Sequence, residues 1–187
     1  MLSVAALLTL NAALPSDARA ATVPVPLALQ TELLVKVVVY DRNLRERAAG
    51  VVRILVVVRG DDPASLAAAG NVEHRLSTID KIAGMAHQRE RVVFTSAKDL
   101  ATRVRERRAS CVYLMPGLSS EVENIREALT GGDVISVSAI PEDVARGLVL
   151  GFDQASGKPK ILVNLTQAQK QHVNLTADLL RIATVIR

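Results

Sequence analysis

Residues 147–165 read GLVLGFDQASGKPKILVNL, which is two apolar runs joined by a polar turn. Both runs are short and rich in aliphatic residues, and such runs favour buried strands over helices. Gly157 and Pro159 interrupt the pattern between them and are typical of a turn. This stretch therefore predicts an antiparallel β-hairpin that lies within a protein core.

The segment after this hairpin has the spacing of an amphipathic helix. From Thr176 to Ile186, apolar residues recur as they do on one face of a helix. We expect a terminal helix whose buried stripe comprises Leu175, Leu179, Ile182, Ala183 and Ile186. If this helix packs on the core, truncating Ile182 to Ala is expected to cost about 2–5 kcal/mol of folding free energy.

The rest of the chain alternates strand patterns with helical patterns. Strands are predicted at residues 51–58, 91–94, 111–115 and 134–137, with helices between them. Such alternation implies parallel strands joined by right-handed crossovers. The predicted fold class is α/β: a single Rossmann-like, three-layer domain over residues 27–187. Its sheet is expected to be mixed and mostly parallel, with a C-terminal antiparallel hairpin and a terminal helix.

The beginning of the chain has the features of a signal peptide. Residues 4–14 are a short apolar stretch, whereas a membrane-spanning helix needs about 20 residues. Residues 18–20, Ala-Arg-Ala, match the small-x-small pattern before a cleavage site. We expect residues 1–20 to be removed on export to the periplasm and residues 21–26 to form a leader. The alternative is a helical extension that packs on the domain. The mature chain is not expected to span a membrane.

The residues with catalytic or metal-binding potential are scattered along the chain. Cys111 is the single cysteine, so an intrachain disulfide is excluded, and its apolar neighbours indicate a buried thiol. The three histidines are far apart, and the sequence contains no Gly-x-Ser-x-Gly elbow and no phosphate-binding glycine loop. We therefore predict no catalytic residues, no metal site and no cofactor, and the chain is not expected to be an enzyme.

Polar residues and a glycine follow several of the predicted parallel strands. In a sheet of this kind, ligands bind outside the carboxyl ends of the strands. If the chain holds a small ligand or a partner at its sheet, the contacts are expected there. The candidate contacts are Arg59, Asp61, Asp62, Ser96, Gly117 and Ser138.

A row of arginines marks the helix that is predicted after Ser96. Arg103, Arg105, Arg107 and Arg108 lie mostly on its outer side. Aromatic residues make up only 2% of the chain, so the stacking platforms of a nucleic-acid-binding protein are missing and no nucleic acid partner is expected. The row is either a solvated helix face or a docking face, through Arg103 and Arg107, for an acidic protein surface.

The last third of the chain resembles the YfiR-like family (the DUF4154 domain) of exported bacterial proteins. The resemblance rests on the segments 134–138 (VISVS), 147–152 (GLVLGF), 157–160 (GKPK), 163–165 (VNL) and 179–183 (LLRIA). Upstream, the turn Gly60-Asp61-Asp62-Pro63 is similar to the family's Gly-Asp-Asp/Asn-Pro turn. The similarity extends over residues 27–187 and is most specific in the last third.

The resemblance implies a Rossmann-like α/β domain in the periplasm, often as a homodimer. The best understood members repress a diguanylate cyclase of the inner membrane by binding its periplasmic sensor domain, which restrains cyclic-di-GMP output and biofilm formation. This chain departs from the family in two respects. Its leading helix ends at Tyr40-Asp41 and not at an aromatic residue and Trp-Pro, and its single cysteine cannot form the intrachain disulfide that several members carry.

Three hypotheses of function follow. The leading one is an exported, non-enzymatic regulator that binds the periplasmic part of a membrane signalling protein, with a diguanylate cyclase as the expected partner. The alternative is a periplasmic module that binds a small ligand at the strand ends. An enzyme of unrecognised type is the third hypothesis, and no group of residues supports it.

Overall fold

The structure, a computed structural model, describes residues 23–186 of the 187-residue chain. The predicted signal peptide and the first two residues of the predicted leader therefore lie outside the described residues. The strands are β1 (Val51–Val58), β2 (Ala86–Val93), β3 (Cys111–Leu114), β4 (Ile135–Ser138), β5 (Leu150–Ala155), β6 (Lys158–Asn164) and β7 (Thr184–Ile186). The α-helices are α1 (Leu27–Val37), α2 (Leu44–Ala48), α3 (Pro63–Ser77), α4 (Ala97–Arg107), α5 (Val122–Leu129), α6 (Glu142–Ala145), α7 (Leu165–Lys170) and α8 (Ala177–Ile182).

All seven strands form one sheet, in the order β2-β1-β3-β4-β5-β6-β7. The first five strands in this order pair in parallel, β5 and β6 form an antiparallel hairpin, and β7 runs parallel to β6. The prediction of a mixed, mostly parallel sheet with a C-terminal hairpin is therefore confirmed. Because β1 lies between β2 and β3, the strand order reverses at β1, as in other doubly wound sheets.

Helices cover both faces of the sheet and create two hydrophobic cores. The first core lies beneath α1, α3, α7 and α8, and the second lies beneath α4 and α5. The apolar run of β1 supplies both cores: Ile54 and Val56 point into the first, whereas Leu55 and Val57 point into the second. A strand that is buried on both faces requires apolar residues at consecutive positions, which explains the unbroken run at residues 54–58.

The end of the chain differs from the sequence prediction. Helix α8 stops at Ile182, and the Thr184–Ile186 segment forms β7 along the outer edge of β6. Leu179 is fully buried as expected, but the Ile182 side chain is 67% exposed, so the prediction that it packs in the core is wrong. The β-branched Thr-Val-Ile segment favours a strand, and the open edge of β6 offers backbone hydrogen bonds that a helical turn would not use.

The two elements that follow β1 complete the comparison with the prediction. The helix expected between the strands predicted at 51–58 and 91–94 is α3, which is continuous over Pro63–Ser77 and ends before β2 begins. Strand β2 begins at Ala86 and is longer than the predicted strand over 91–94. Its charged residues hide the strand pattern because β2 is an edge strand, where charged side chains face water. Among residues 23–186, no helix is both long enough and apolar enough to cross a membrane.

Candidate functional site

The carboxyl ends of β1 and β3 meet at the point where the strand order reverses. Arg59 follows β1, and its Nε donates a hydrogen bond of 2.5 Å to the carbonyl oxygen of Gly117, which follows β3. The Nη2 of the same arginine lies 3.3 Å from Ser120 Oγ. The guanidinium therefore lies across the place where doubly wound proteins usually hold their ligands.

Asp62 and Gly117 are packed against each other at the same place. Asp62 caps α3, with its Oδ1 accepting a hydrogen bond of 2.9 Å from the amide of Ala64. Gly117 has a φ of +91°, and a Cβ atom at this position would lie 2.5 Å from Asp62 Oδ2. Glycine is thus required here by both the backbone conformation and the lack of space.

A buried carboxylate extends this polar region to the end of β4. Asp143 Oδ2 accepts a hydrogen bond of 2.7 Å from Ser138 Oγ and one of 3.3 Å from Ser119 Oγ. Ser138 Oγ in turn accepts from the amide of Ile140 at 3.0 Å. We name the whole group the edge network; its members are Arg59, Asp62, Gly117, Ser119, Ser120, Ser138 and Asp143.

Asp143 is the member of the edge network with the least complete hydrogen bonding. The residue is only 2% exposed, and its Oδ1 has no hydrogen-bond partner within the described residues. The nearest cation is Arg146, whose Nη1 lies 3.7 Å from that oxygen. Arg146 is held away by Glu123, with which it forms hydrogen bonds of 2.6 and 2.8 Å. Burial therefore raises the pKa of Asp143 in spite of the two serine hydroxyls.

The candidate contact residues at the strand ends lie in four different settings. Arg59, Asp62 and Gly117 come together, as their positions predicted. Ser138 is fully buried, so it cannot touch a partner at the surface without a rearrangement. Ser96 caps α4, where its Oγ accepts from the amide of Asp99 at 3.1 Å. Asp61 is exposed on the turn that precedes α3.

The edge network and four clefts of the described residues lie at different places. These clefts measure 300 to 420 Å³, and none of the four is lined by a member of the edge network. At the edge itself, side chains bond to one another and to the carbonyl oxygen of Gly117. A preformed ligand pocket, which the hypothesis of a ligand-binding module favours, is therefore not found at this edge among these clefts.

The predicted docking residues lie on the exposed side of α4. Arg103 is exposed, and Arg107 pairs with Glu90 of β2 across 3.2 Å. Arg105 and Arg108 are also exposed, and they face the opposite side of the helix end, toward α5. The arginine row is thus divided between two sides of α4.

The largest of the four clefts lies between α4 and α5 at the amino edge of the sheet, and we name it the α4–α5 groove. It measures about 420 Å³. Its floor is apolar and includes Ala101, Val104 and Leu129. Arg105 and Arg108 line one side, and the Thr130–Asp133 segment lines the other. An apolar floor with charged walls is typical of a protein-binding surface.

A buried ion pair fixes one end of the α4–α5 groove. Arg47 bonds through Nη1 to Asp41, whose side chain is fully buried, and its Nε bonds to Asp133 Oδ1 at 2.8 Å. Its Nη2 donates to the carbonyl oxygen of His172 at 3.1 Å. The Oδ1 of Asp41 accepts from the amides of Asn174 at 2.8 Å and of Asn43 at 3.2 Å. Arg47 therefore joins three separate segments of the chain.

The groups with intrinsic chemical reactivity are buried or isolated. Burial raises the pKa of the Cys111 thiol to about 12, so the reactive thiolate is not formed near neutral pH. His87 bonds through Nε2 to the carbonyl oxygen of Ile79 at 2.8 Å. Within residues 23–186, no cluster of three or more His, Cys, Asp or Glu side chains is arranged to hold a metal ion.

Sequence patterns did not reveal two of the residues that organise these edges. Asp143 follows Pro141-Glu142 and looks like part of an ordinary helix start, and Arg47 lies in a charged segment that resembles a loop. In both cases the burial comes from distant segments, which a local pattern does not contain. An acidic residue a few positions after an apolar strand was the one available signal for Asp143.

A family model described as YfiR/HmsC-like (DUF4154) matches residues 37–184. This range contains β1 to β6, the first residue of β7 and both of the edges described above. No curated protein matches the chain.

Several solved structures share the fold at low sequence identity. An ABC domain in complex with L-Trp from Streptococcus pneumonia has a TM-score of 0.60 and 15% identity, over 86% of this chain and 60% of that chain. A conserved domain protein from Vibrio cholerae has a TM-score of 0.57 and 15% identity, over 87% and 60% of the two chains. A ligand-free, open substrate binding protein from Clostridium difficile has a TM-score of 0.52 and 11% identity, over 78% and 57%.

These similarities concern the fold alone. The chain spans about 60% of the length of the first two of these proteins. They confirm an α/β architecture of the kind found in substrate-binding proteins, and they agree with the doubly wound order of the sheet.

Proposed function

The chain belongs to the YfiR/HmsC-like family (DUF4154), and we propose that it is an exported regulator that acts by binding a membrane signalling protein. It would bind the periplasmic part of that protein and restrain its output without any catalytic step. A diguanylate cyclase is the partner we propose, because members of this family repress such cyclases. Cyclic-di-GMP is then the quantity that the chain controls, and biofilm formation is the process that follows it.

The family match over residues 37–184 carries this proposal. The carboxyl edge supports it, because none of the four clefts described above, where a substrate or a small ligand could sit, is lined by the edge network. The exposed arginines of α4 and the α4–α5 groove supply surface for a partner instead. Regulation then means that the bound form of the cyclase has low activity and that an envelope signal changes the bound fraction.

A deletion strain tests the proposal directly. We expect removal of the gene to raise cyclic-di-GMP, because a restraint on the cyclase is lost, and complementation in trans to lower it again. In vivo crosslinking in the envelope should recover a membrane protein with a periplasmic domain. Unchanged cyclic-di-GMP together with no such protein among the crosslinked products would remove the regulator hypothesis.

Export is part of the same proposal and has its own test. Residues 1–20 are proposed as the signal peptide, so fusing them to alkaline phosphatase should give periplasmic activity. The mature protein should begin at Ala21 when it is isolated from the periplasm and sequenced from its N-terminus. Recovery of the full-length chain from the cytosol would contradict this part of the proposal.

A small-ligand-binding module remains the second candidate, and one observation favours it. Asp143 Oδ1 is buried without a hydrogen-bond partner in the described residues, and a ligand amine or hydroxyl would supply one. One of the proteins of similar fold is described in complex with L-Trp. Thermal-shift measurements with a panel of amino acids test this candidate. A shift that disappears in Asp143→Asn would support it, and no shift with any of them would count against it.

A further inference from the structure

We propose that the α4–α5 groove holds an extended, acidic segment of the protein partner. This inference rests on the proposed function, because it names the surface through which the regulator makes contact. It concerns the amino edge of the sheet and is independent of the edge network.

The walls of the α4–α5 groove carry cations that the protein does not use for its own structure. Among the described residues, Arg105 and Arg108 form no ion pair; Arg105 has a single side-chain hydrogen bond, of 3.1 Å, to Thr102 Oγ1. Both side chains are exposed and line the same side of the groove. Guanidinium groups bind carboxylates through two parallel hydrogen bonds, which makes an acidic side chain the natural counterpart.

The acidic residues of the α4–α5 groove do not cancel these charges. Asp133 is already paired with Arg47, which is 7% exposed. Glu46 is the remaining lining carboxylate without an ion pair in the described part of the chain. The local charge is therefore positive, and an acidic partner is complementary to it.

The floor of the α4–α5 groove favours a polypeptide over a free anion. Ala101, Val104 and Leu129 form an apolar base between the two charged walls, and these residues are 2–6% exposed. An extended segment points alternate side chains in opposite directions, so apolar ones can pack on the floor while acidic ones meet the arginines. A free anion would leave this floor uncovered.

The α4–α5 groove is also rigid, which lowers the entropy that binding costs. Arg47 forms ion pairs with Asp133, on one wall of the groove, and with the buried Asp41. The amide of Ala109 bonds to the carbonyl oxygen of Val104 at 2.9 Å and fixes the end of α4. The partner segment would thus enter a surface that is already formed.

Site-specific photocrosslinking in cells that produce the full chain tests the inference. Benzoylphenylalanine is placed at Thr130, on the rim of the α4–α5 groove, or at Thr166 on α7, and both positions are exposed. The crosslinked peptides are identified by mass spectrometry. The charge-reversal pair Arg105→Glu with Arg108→Glu is compared with Lys158→Glu and Lys160→Glu, which makes the same change in net charge at exposed positions of the β5–β6 hairpin.

We expect the Thr130 position to crosslink to a segment with net negative charge in a membrane signalling protein. The yield should fall at least tenfold with the two arginine substitutions and stay within twofold of the unsubstituted protein with the two lysine substitutions. If Arg105→Glu with Arg108→Glu lowers the melting temperature, the pair Arg105→Gln with Arg108→Gln replaces it, with the same expectation for the yield.

Different results would overturn this inference and the proposed function. The signalling protein could be captured from Thr166 only, or the crosslinking yield from Thr130 could be unchanged by the arginine substitutions. Either result would show that the groove is not the contact surface, and the regulator hypothesis would stand. A Thr130 product on a segment without net negative charge also overturns the inference. If no membrane protein is captured from either position, this inference fails; the proposed function fails with it only if deletion of the gene also leaves cyclic-di-GMP unchanged.

Discussion

At the carboxyl edge of the sheet, Arg59 and Asp143 are held by neighbouring side chains, whereas at the amino edge Arg105 and Arg108 face an open groove of about 420 Å³. The two edges of one doubly wound sheet thus have opposite characters. Proteins with this sheet usually place their ligands at the carboxyl edge. Here that edge carries a network of hydrogen-bonded side chains, and the open groove lies at the other end.

In the regulatory role proposed above, hydrogen bonds at the carboxyl edge help to hold the domain together, while the α4–α5 groove, with arginines at its rim, is the surface for another protein. Each of the following experiments would sharpen or break the contrast between the two edges.

The largest effect is expected from Arg47→Met, which removes the buried ion pair of the amino edge. Asp41 would then be a fully buried carboxylate without its cation, and this is expected to cost about 3–5 kcal/mol of unfolding free energy. Urea denaturation measures the loss. Arg45→Met, on the exposed side of the same helix, is the control and should change stability by less than about 0.5 kcal/mol. Equal effects would show that the pair does not hold this edge together.

A smaller effect is expected at the carboxyl edge from Gly117→Ala. The new Cβ would combine an unfavourable φ with a contact of 2.5 Å to Asp62 Oδ2, at a cost of about 1–3 kcal/mol. Gly157→Ala is the matched control, since its φ of +76° is also positive but no atom lies within 4 Å of the added methyl group. If both substitutions cost the same in chemical denaturation, the carboxyl edge is less tightly filled than described.

The pH dependence of stability tests the buried carboxylate. Because the pKa of Asp143 is raised in the folded state, its protonated form stabilises folding below the ordinary carboxyl pKa of about 3.9, and this contribution is lost as the pH rises through the raised pKa. Denaturation curves from about pH 4 to pH 7.5 should therefore show that the wild type loses stability relative to Asp143→Asn as the pH rises.

Glu123→Gln provides the opposite control for that titration. The hydrogen bonds from Arg146 lower the pKa of Glu123, so its contribution is present above the ordinary carboxyl pKa and is lost as the pH falls. The wild type should therefore gain stability relative to Glu123→Gln with rising pH. Parallel curves for Asp143→Asn and the wild type would mean that Asp143 is not a desolvated carboxylate.

The smallest effect is expected from Ile182→Ala. This side chain is 67% exposed at the end of α8, so its truncation should change the free energy of unfolding by less than about 0.5 kcal/mol. Leu179→Ala, on the buried side of the same helix, should cost about 2–5 kcal/mol. A large effect at Ile182 would restore the longer terminal helix that the sequence pattern suggests.

The sequence predicted the features that depend on local patterns. The apolar run of β1 and the inner halves of β5 and β6 were recognisable because burial on both faces leaves few polar positions. Strand β7 was missed because the spacing of residues 176–186 fits a helix as well as a short strand, and pairing with β6 decides between them. The meeting of Arg59 with Gly117 followed from the parallel sheet, whereas the roles of Asp143 and Arg47 depend on contacts with distant segments.

One measurement tests the central claim that the protein works by contact at its open amino edge. Cyclic-di-GMP is quantified in a deletion strain that carries either Arg105→Glu with Arg108→Glu or Lys158→Glu with Lys160→Glu, at matched protein levels. We predict that the lysine pair returns cyclic-di-GMP to the wild-type level and that the arginine pair leaves it as high as in the deletion strain. Equal restoration by both pairs would contradict the account.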